Sequence, residues 1–592
     1  MSVGGDQWVA RTSPGEVPPE DIPPAIWNVL RARGLTEPDE IEKILHPRLR
    51  DLAHPFSLDQ MDRAVQLLIE AHKKQEPILI YGDYDLDGTP GVALLREGLE
   101  KLGFTHLFTV QPSRMNDGYG LHAHLVKKFK DSGVRIVITV DVGITDVEAV
   151  DELKKDGINV IVTDHHLPKS VLPDAYAVVN PNKGDCGSRL QHLCGTGVAF
   201  YLVLALRMEL ERQGLLSKPF DPKDLLDLFA LATVTDMVPL VKENRILVKH
   251  GLQRLAHTVR PGLRLLLGEL GLYGRDLTAQ DIGFRLAPKL NALTRLEGNL
   301  TAYEILTANE TNARDRVNQA LHVNEKRRAL QAHAKQVAQQ WTQAHFQPGD
   351  PCLFVYSNEF HPGVISLVAN DLASEFDLPT FVGAVCEDGR IVGSARAPST
   401  FDNSEFSLPE ILQRASSFLT RFGGHRHAAG FELDLKVAED FRQALKAGFK
   451  PAEMSNPVTS DVPSTSPELE RESKTLFYDS ELALHDFSHR FMSWHEAIGP
   501  FGPGFEAPSF LMRGLRIRAV RKLKNKFLRY TLTDGLRELE APWFENPVEF
   551  EKGTKIDFIF EPQWNDYNGR RTLQARILAA RIHSSSRPFE TD

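Results

Sequence analysis

Three short apolar runs in the first third of the chain each stop at an acidic residue. Pro77–Tyr81 (PILIY) leads into GDYDLDG, Val134–Val140 (VRIVITV) into Asp141, and Ile158–Thr163 (INVIVT) into Asp164-His165-His166. Helical stretches, Val92 to Leu102 and Asp146 to Lys155, separate them. Strands that are apolar throughout and alternate with helices predict an α/β fold with a parallel sheet covered on both faces. In an open sheet of this kind the ligand crevice lies at the carboxyl ends of the strands. Carboxylates distant in sequence are therefore expected to converge. A fourth apolar run, Leu228–Val234 (LFALATV), ends near Asp236 and reads equally as strand or helix.

The cluster Asp83, Asp85, Asp87 sets three carboxylates at alternate positions directly after a buried strand. Such carboxylates repel one another unless a cation neutralises them. Hard divalent ions prefer carboxylate oxygen. A solvated acidic loop is the plain alternative. An EF-hand loop needs helix–loop–helix flanks, and the strand before this cluster argues against it. Asp141, His165, His166 and Asp236 add ligands of the right type. Mixed carboxylate and imidazole ligation suits Mn²⁺ and tolerates Mg²⁺. Two such ions roughly 3.5–4 Å apart can activate water and hold a phosphoryl oxygen, which predicts phosphoester or phosphoanhydride hydrolysis.

The rest of the chain divides by composition. At 592 residues about three or four domains are expected. Residues 1–55 read as an N-terminal extension of short helices, with Ile41–Leu49 packing on the next domain. Residues 56–300 form the catalytic domain, and 301–345 a long connecting helix rich in Ala, Gln, Glu, Lys and Arg. Residues 346–450 read as a second, smaller α/β domain ending in FGGHRHAAG (422–430). Residues 451–474, poor in apolar groups and rich in Pro, Ser and Thr, read as a disordered linker. Residues 475–592 read as a small β-barrel.

The net charge of −10, from 69 Lys+Arg against 79 Asp+Glu, excludes a uniformly basic nucleic-acid binder. It leaves room for a local basic patch. Residues 511–530 carry such a patch: Arg513, Arg516, Arg518, Arg521, Lys522, Lys524, Lys526 and Arg529, with no acid and with Phe527 and Tyr530 interleaved. Basic strands with aromatics fit a barrel gripping single-stranded nucleic acid by phosphate contact and base stacking. Trp543, Trp564 and Tyr567 read as stacking or core residues. Gly393-Ser394-Ala395-Arg396 and Gly423-Gly424-His425 are candidate phosphate contacts, because glycine lets backbone N–H groups approach and Arg binds phosphate in a fork. The four cysteines show no CxxC spacing. Cys186, His192 and Cys194 lack an evident fourth zinc ligand and read as ordinary buried or loop residues. No apolar run reaches the length of a membrane span or signal h-region, so a cytoplasmic protein with no membrane partner is expected.

These blocks together resemble a known family. GDYDLDG, ITVDVGI, VTDHHLP and TVTDMVPL are similar to the four acidic motifs of the DHH phosphoesterase superfamily, and FGGHRHAAG to the motif of its DHHA1 domain. GYGLH (118–122), LCGTGVAF (193–200), KENR (242–245) and APKLNALTRLEG (287–298) resemble the intervening blocks of RecJ-type exonucleases, over roughly residues 50–440. The C-terminal barrel would then be an OB-fold. The resemblance implies a 5′→3′ exonuclease specific for single-stranded DNA, releasing 5′-mononucleotides in DNA repair and recombination. It implies Asp85 on a first Mn²⁺ or Mg²⁺, with Asp83 either a further ligand or a group supporting it, Asp141 bridging, and Asp87, His165 and Asp236 on a second. Asp164 would orient its neighbour, and His166 would face the scissile phosphate or the attacking water. Arg114 and Arg295 would join Ser394, Arg396, Gly424 and His425 on the strand, with Arg518, Arg521, Lys522, Lys524 and Lys526 on the barrel. A single-stranded-DNA-binding protein and a helicase are the implied protein partners.

Some positions depart from the family pattern. Tyr81 stands where some relatives have His, which predicts a weaker first metal. Lys289 and Thr294 replace an expected Arg and Gly, altering phosphate recognition by loss of the guanidinium fork. PFGPGFEAP (500–508) lacks an expected Asn-Pro pair. Two other readings share parts of the pattern. An oligoribonuclease or nucleotide phosphatase of the same superfamily would be shorter and lack the basic barrel. A Cdc45-type scaffold would have lost metal ligands, and this chain keeps the acidic set.

Overall fold

The three apolar runs become neighbouring strands of one sheet. The structure, a computed structural model, describes residues 7–584 except 12–16, 20, 115, 217, 297–299, 348, 399, 402–405, 450–474, 524–526, 545–546 and 568–569. The expected linker and the side chains of Lys524 and Lys526 therefore lie outside the described residues. The first sheet is fully parallel, in the order Leu107–Val110, Ile78–Gly82, Ile136–Val140, Asn159–Thr163, Ala177–Val179. Its two middle strands are buried at every position, which is why they read as unbroken apolar runs. Helices Gly88–Lys101 and Gly195–Arg212 pack on one face. Helix Val147–Lys155 covers the other.

The fourth apolar run is a helix, Leu226–Thr235, with Asp236 at its C-terminal end. Leu and Ala favour helix, and the run is apolar all round because protein surrounds it. The connecting segment is one helix of 33 residues, Ala313–His345, preceded by the separate short helix Ala302–Leu306.

The second domain holds a mixed sheet ordered Arg421–His425, Ala428–Asp434, Arg390–Arg396, Thr380–Val385, Leu353–Ser357, in which only the last pair is parallel. In the C-terminal domain Phe510–Leu523 pairs with both Phe527–Thr533 and Lys555–Tyr567, which closes the sheet into a barrel.

The N-terminal helices pack their apolar side chains on the barrel, beyond the contact with the next domain that the sequence pointed to. Ile26, Val29, Leu30 and Ile41 belong to the barrel's core, beside Leu482, Phe491 and Phe510. The 41–49 segment also meets the first domain: Leu49, with Leu52 just beyond it, rests on its core, Lys249 Nζ donates to Leu45 O (2.9 Å) and His250 Nε2 lies 3.1 Å from Pro47 O. Each large side chain so buried stabilises by about 1.5–3 kcal/mol, so the extension and the barrel form one folding unit. Among the described residues no helix is long and apolar enough to cross a membrane.

Candidate metal centre

Four chain segments deliver carboxylates or imidazoles to the carboxyl edge of the parallel sheet. After Gly82 the chain turns through Asp83–Asp87 and starts helix Gly88–Lys101. Asp85 Oδ1 accepts the backbone N–H groups of Asp87 (2.8 Å) and Gly88 (3.0 Å) at that helix start. Asp87 is 1% exposed. Its Oδ2 accepts from Gly195 N (2.6 Å) and its Oδ1 from Thr196 N (2.9 Å), at the N-terminus of helix Gly195–Arg212. Asp141 leaves its strand with φ 63°, a left-handed conformation that is uncommon outside glycine and recurs at functional sites. A Cβ on Gly195 would stand 2.5 Å from Asp141 Cβ and 2.7 Å from its Oδ1. Only glycine lets this helix begin so close to the carboxylate.

The His pair is divided by its contacts. His165 Nε2 lies 3.3 Å from Asp141 Oδ1 and 3.7 Å from both Asp87 Oδ2 and Asp236 Oδ2. His166 Nδ1 instead lies 2.8 Å from Asp164 Oδ1, and 3.6 Å from Asp141 Oδ1. Asp164 is fully buried. It also accepts the backbone N–H groups of His165 (2.7 Å), His166 (3.1 Å) and Ile144 (3.0 Å).

Three groupings arise with ligand atoms within 4.8 Å of one another: Asp83, Asp85 and Asp141; Asp87, His165 and Asp236; Asp141, His165 and His166. Asp141 is common to the first and third. Asp83 Oδ1, Asp141 Oδ1, His165 Nε2 and Asp236 Oδ2 are buried with no hydrogen-bond partner. Burial, and then the charge of neighbouring carboxylates, pushes Asp83 and Asp236 up to about 8 and Asp141 well above the carboxylate range. Buried polar atoms without partners are costly. A divalent cation takes just such oxygens and imidazole nitrogens, so this donor set fits Mn²⁺ or Mg²⁺. Asp164 differs. Burial works to raise it, yet the His166 hydrogen bond and charge, with the backbone N–H groups of Ile144 and His166, together bring it below the ordinary range. Burial lowers His166, but the Asp164 bond and charge, with the fields of Asp87 and Asp236, together lift it to about 9.

The DHH family, N-terminal domain, matches residues 77–233; the DHHA1 domain matches 349–450, and the RecJ OB domain 478–579. The single-stranded-DNA-specific exonuclease RecJ of Haemophilus influenzae is 32% identical, over 94% of this chain and 95% of that protein. Its namesake from Salmonella typhimurium is 33% identical, over 94% and 96%. The chain belongs to the RecJ family. The crystal structure of Thermus thermophilus RecJ in complex with Mn²⁺ superposes with a TM-score of 0.76 at 26% identity, covering 98% of this chain and 80% of that one.

The other expected positions of this RecJ-family chain fall into three places. Arg114 is exposed, with its guanidinium 5.6 Å from the Tyr84 ring centroid. Arg295 donates to Ser366 Oγ at 2.9 Å, across to the second domain. Burial, then the positive fields of Arg114, Arg327 and Arg396, lower Arg295 to about 10. These cations therefore lie close enough to Arg295 for their charges to act on it. Arg396 donates to Ser394 Oγ (3.1 Å). Gly424 and His425 are exposed in the hairpin strand Arg421–His425. On the barrel, Arg518, Arg521 and Lys522 are exposed on one long strand, but Arg518 is paired with Glu538 and Lys522 with Glu549 (2.8 Å). Tyr530 is fully buried, its hydroxyl donating to Val548 O, so it stacks in the core and not on a strand. Trp543 is likewise core.

Several expectations need restating. Tyr81 is buried on the far side of the sheet, its hydroxyl donating to Gly120 O at 2.9 Å. It supports the 118–122 loop and is not aimed at the metal cluster, so it gives no reason for a weak first metal. Cys194 faces Thr233, while His192 pairs with Glu243 at 2.7 Å. No cysteine enters a metal grouping among the described residues. Sequence reasoning missed Tyr119, whose hydroxyl lies 3.2 Å from His166 Nδ1, and Arg327 on the connecting helix. The GYGLH block contained the first. The second was hidden in a helix read only by composition.

Proposed function

We propose that this chain hydrolyses single-stranded DNA from its 5′ end, releasing 5′-mononucleotides, as a metal-dependent exonuclease. The observation that carries the reading is the group of four buried, unpartnered ligand atoms at the strand ends. We assign Asp83, Asp85 and Asp141 to one divalent ion and Asp87, His165 and Asp236 to a second, with Asp141 shared. When bound, such a pair activates water and neutralises the developing charge of an in-line displacement. The chain's residues prepare that site. The backbone at Gly195 and Thr196 fixes Asp87, and Asp164 holds His166 by Nδ1, which leaves Nε2 for a substrate. His166 beside the cluster offers a hydrogen bond to a phosphate oxygen. Arg114, Arg295 and Arg396 would hold the 5′-terminal phosphate, and the barrel strip the following nucleotides.

The test is a cleavage assay on end-labelled single- and double-stranded DNA and RNA with Mn²⁺ or Mg²⁺. It should show 5′→3′ release of mononucleotides from single-stranded DNA alone. Asp141→Ala should abolish cleavage and leave strand binding largely intact. Full turnover in that variant would sink the assignment. Adding a single-stranded-DNA-binding protein and a helicase to the same assay tests both as partners in repair and recombination.

A further inference from the structure

Two sequence blocks without a role in the chemistry, KENR (242–245) and PFGPGFEAP (500–508), meet in space. Between Asp236 and helix Lys242–Ala256 lie only five residues, 237–241. This segment starts at Met237 with φ 62° and is pinned from two sides. From the first domain, Asn244 Nδ2 donates to Pro239 O (3.0 Å) and also to His192 O. His192 lies three residues before Gly195, whose N–H holds Asp87. From the barrel domain, Pro503 O accepts the N–H of Leu240 (2.7 Å). The contact is close: a Cβ on Gly502 would stand 2.7 Å from Leu240 Cδ1, and one on Gly504 would stand 3.2 Å from Pro239 Cβ.

Arg245 locks the barrel loop in place. It is 4% exposed and donates to three successive carbonyls, Ile498, Gly499 (3.0 Å) and Pro500 (3.1 Å). Its guanidinium also sits 4.1 Å from the Phe505 ring centroid. Removing it strands three carbonyls at the base of the loop that holds 237–241. The barrel loop is thus a wall of the segment that carries Asp236.

We propose that Arg245 is a positioning residue for the metal centre: by docking the barrel loop on segment 237–241, it holds Asp236 at the ion shared with Asp87 and His165. The barrel is then part of the metal site's scaffold as well as a grip. The inference rests on the metal-dependent reading of the site.

The test is calorimetric titration of the full chain with MnCl₂ in the absence of DNA. The unaltered chain should bind two Mn²⁺, and Asp236→Asn should remove one class of site. Arg245→Met, which keeps volume and loses the fork, should weaken that same class by about tenfold and leave the other within about twofold. Gly502→Val, which wedges the loop from Leu240 without removing a hydrogen bond, should do the same. Arg521→Ala, exposed on the barrel strand Phe510–Leu523, should lower strand affinity and leave Mn²⁺ binding unchanged. Unaltered Mn²⁺ binding in both Arg245→Met and Gly502→Val overturns the inference alone. Equal loss of both classes in both variants also overturns it, because that is general loosening. No Mn²⁺ binding in the unaltered chain overturns the metal reading itself, and the inference with it.

Discussion

At the strand ends of the first domain, carboxylates stand buried without hydrogen-bond partners; along the barrel strand Phe510–Leu523, cations stand exposed, and three of them are paired. Asp83, Asp141 and Asp236 each keep a buried oxygen with no hydrogen-bond partner among the described residues. Arg518 and Lys522 face Glu538 and Glu549 on the barrel surface. The difference separates two uses of charge. An unpaired buried cluster is stable only with a counter-charge from outside, so it selects a ligand strongly and by geometry. An exposed, paired strip offers a field that salt screens and that neighbouring acids already offset.

The largest expected effect is on the first side. Gly195→Ala would place a methyl 2.5 Å from Asp141 Cβ, with 2.7 Å to its Cα, and neither atom belongs to a flexible chain end. Asp141 and Asp87 must then separate. Turnover should fall by about 10²-fold, as displacements near an ångström do. Strand binding measured in EDTA should stay unchanged. Near-normal turnover would show that the cluster tolerates loose geometry, and the contrast with the barrel would lose its force.

How much of this was legible depends on where each signal is written. The parallel strands were legible because burial on both faces leaves no polar position in them. The residues that gather at the cluster were legible because all but Asp236 follow such a strand. Asp236 was found although its run proved to be a helix, since either element delivers a terminal residue to the same edge. Tyr530 was misplaced, yet Leu528, Tyr530 and Leu532 alternate as one buried face, a period-two pattern the local charge obscured. The acids facing Arg518 and Lys522 were not legible, because cross-strand and loop neighbours come from other segments. Nor was the N-terminal extension's place on the barrel, where Asn28 Nδ2 donates to Ser480 Oγ at 3.0 Å across 452 residues.

A smaller effect tests the barrel side. Glu549→Gln frees Lys522, whose side chain is 60% exposed. Affinity for single-stranded DNA should rise a few-fold, and the salt dependence of binding should steepen by about one counter-ion. A salt titration of strand binding checks both. An unchanged slope would mean that Lys522 does not meet phosphate and that the strand runs elsewhere on the barrel.

The smallest effect at neutral pH comes from a third way of handling a buried ionisable group. His495, in helix His489–Ala497, packs against Phe501 at 4.8 Å between centroids, and its Nε2 has no partner. No carboxylate stands against it; burial, helped by the positive field of Arg33, lowers its pKa to about 3. It therefore stays neutral where the metal cluster needs an outside charge. In the unfolded chain its pKa is about 6.5, so between those values the unfolded state binds the extra proton. Above about pH 6.5 the group has no effect on stability. As pH falls below that value, stability should drop by roughly 1.4 kcal/mol per unit, toward the folded value near 3. Thermal melts of His495→Phe against the unaltered chain between pH 7 and about pH 5 isolate the term, because other titrating groups are common to both. The two curves should diverge on acidification, with the variant falling less. Parallel curves would mean that the imidazole finds a proton acceptor or water in the folded chain, and that burial at this site is incomplete.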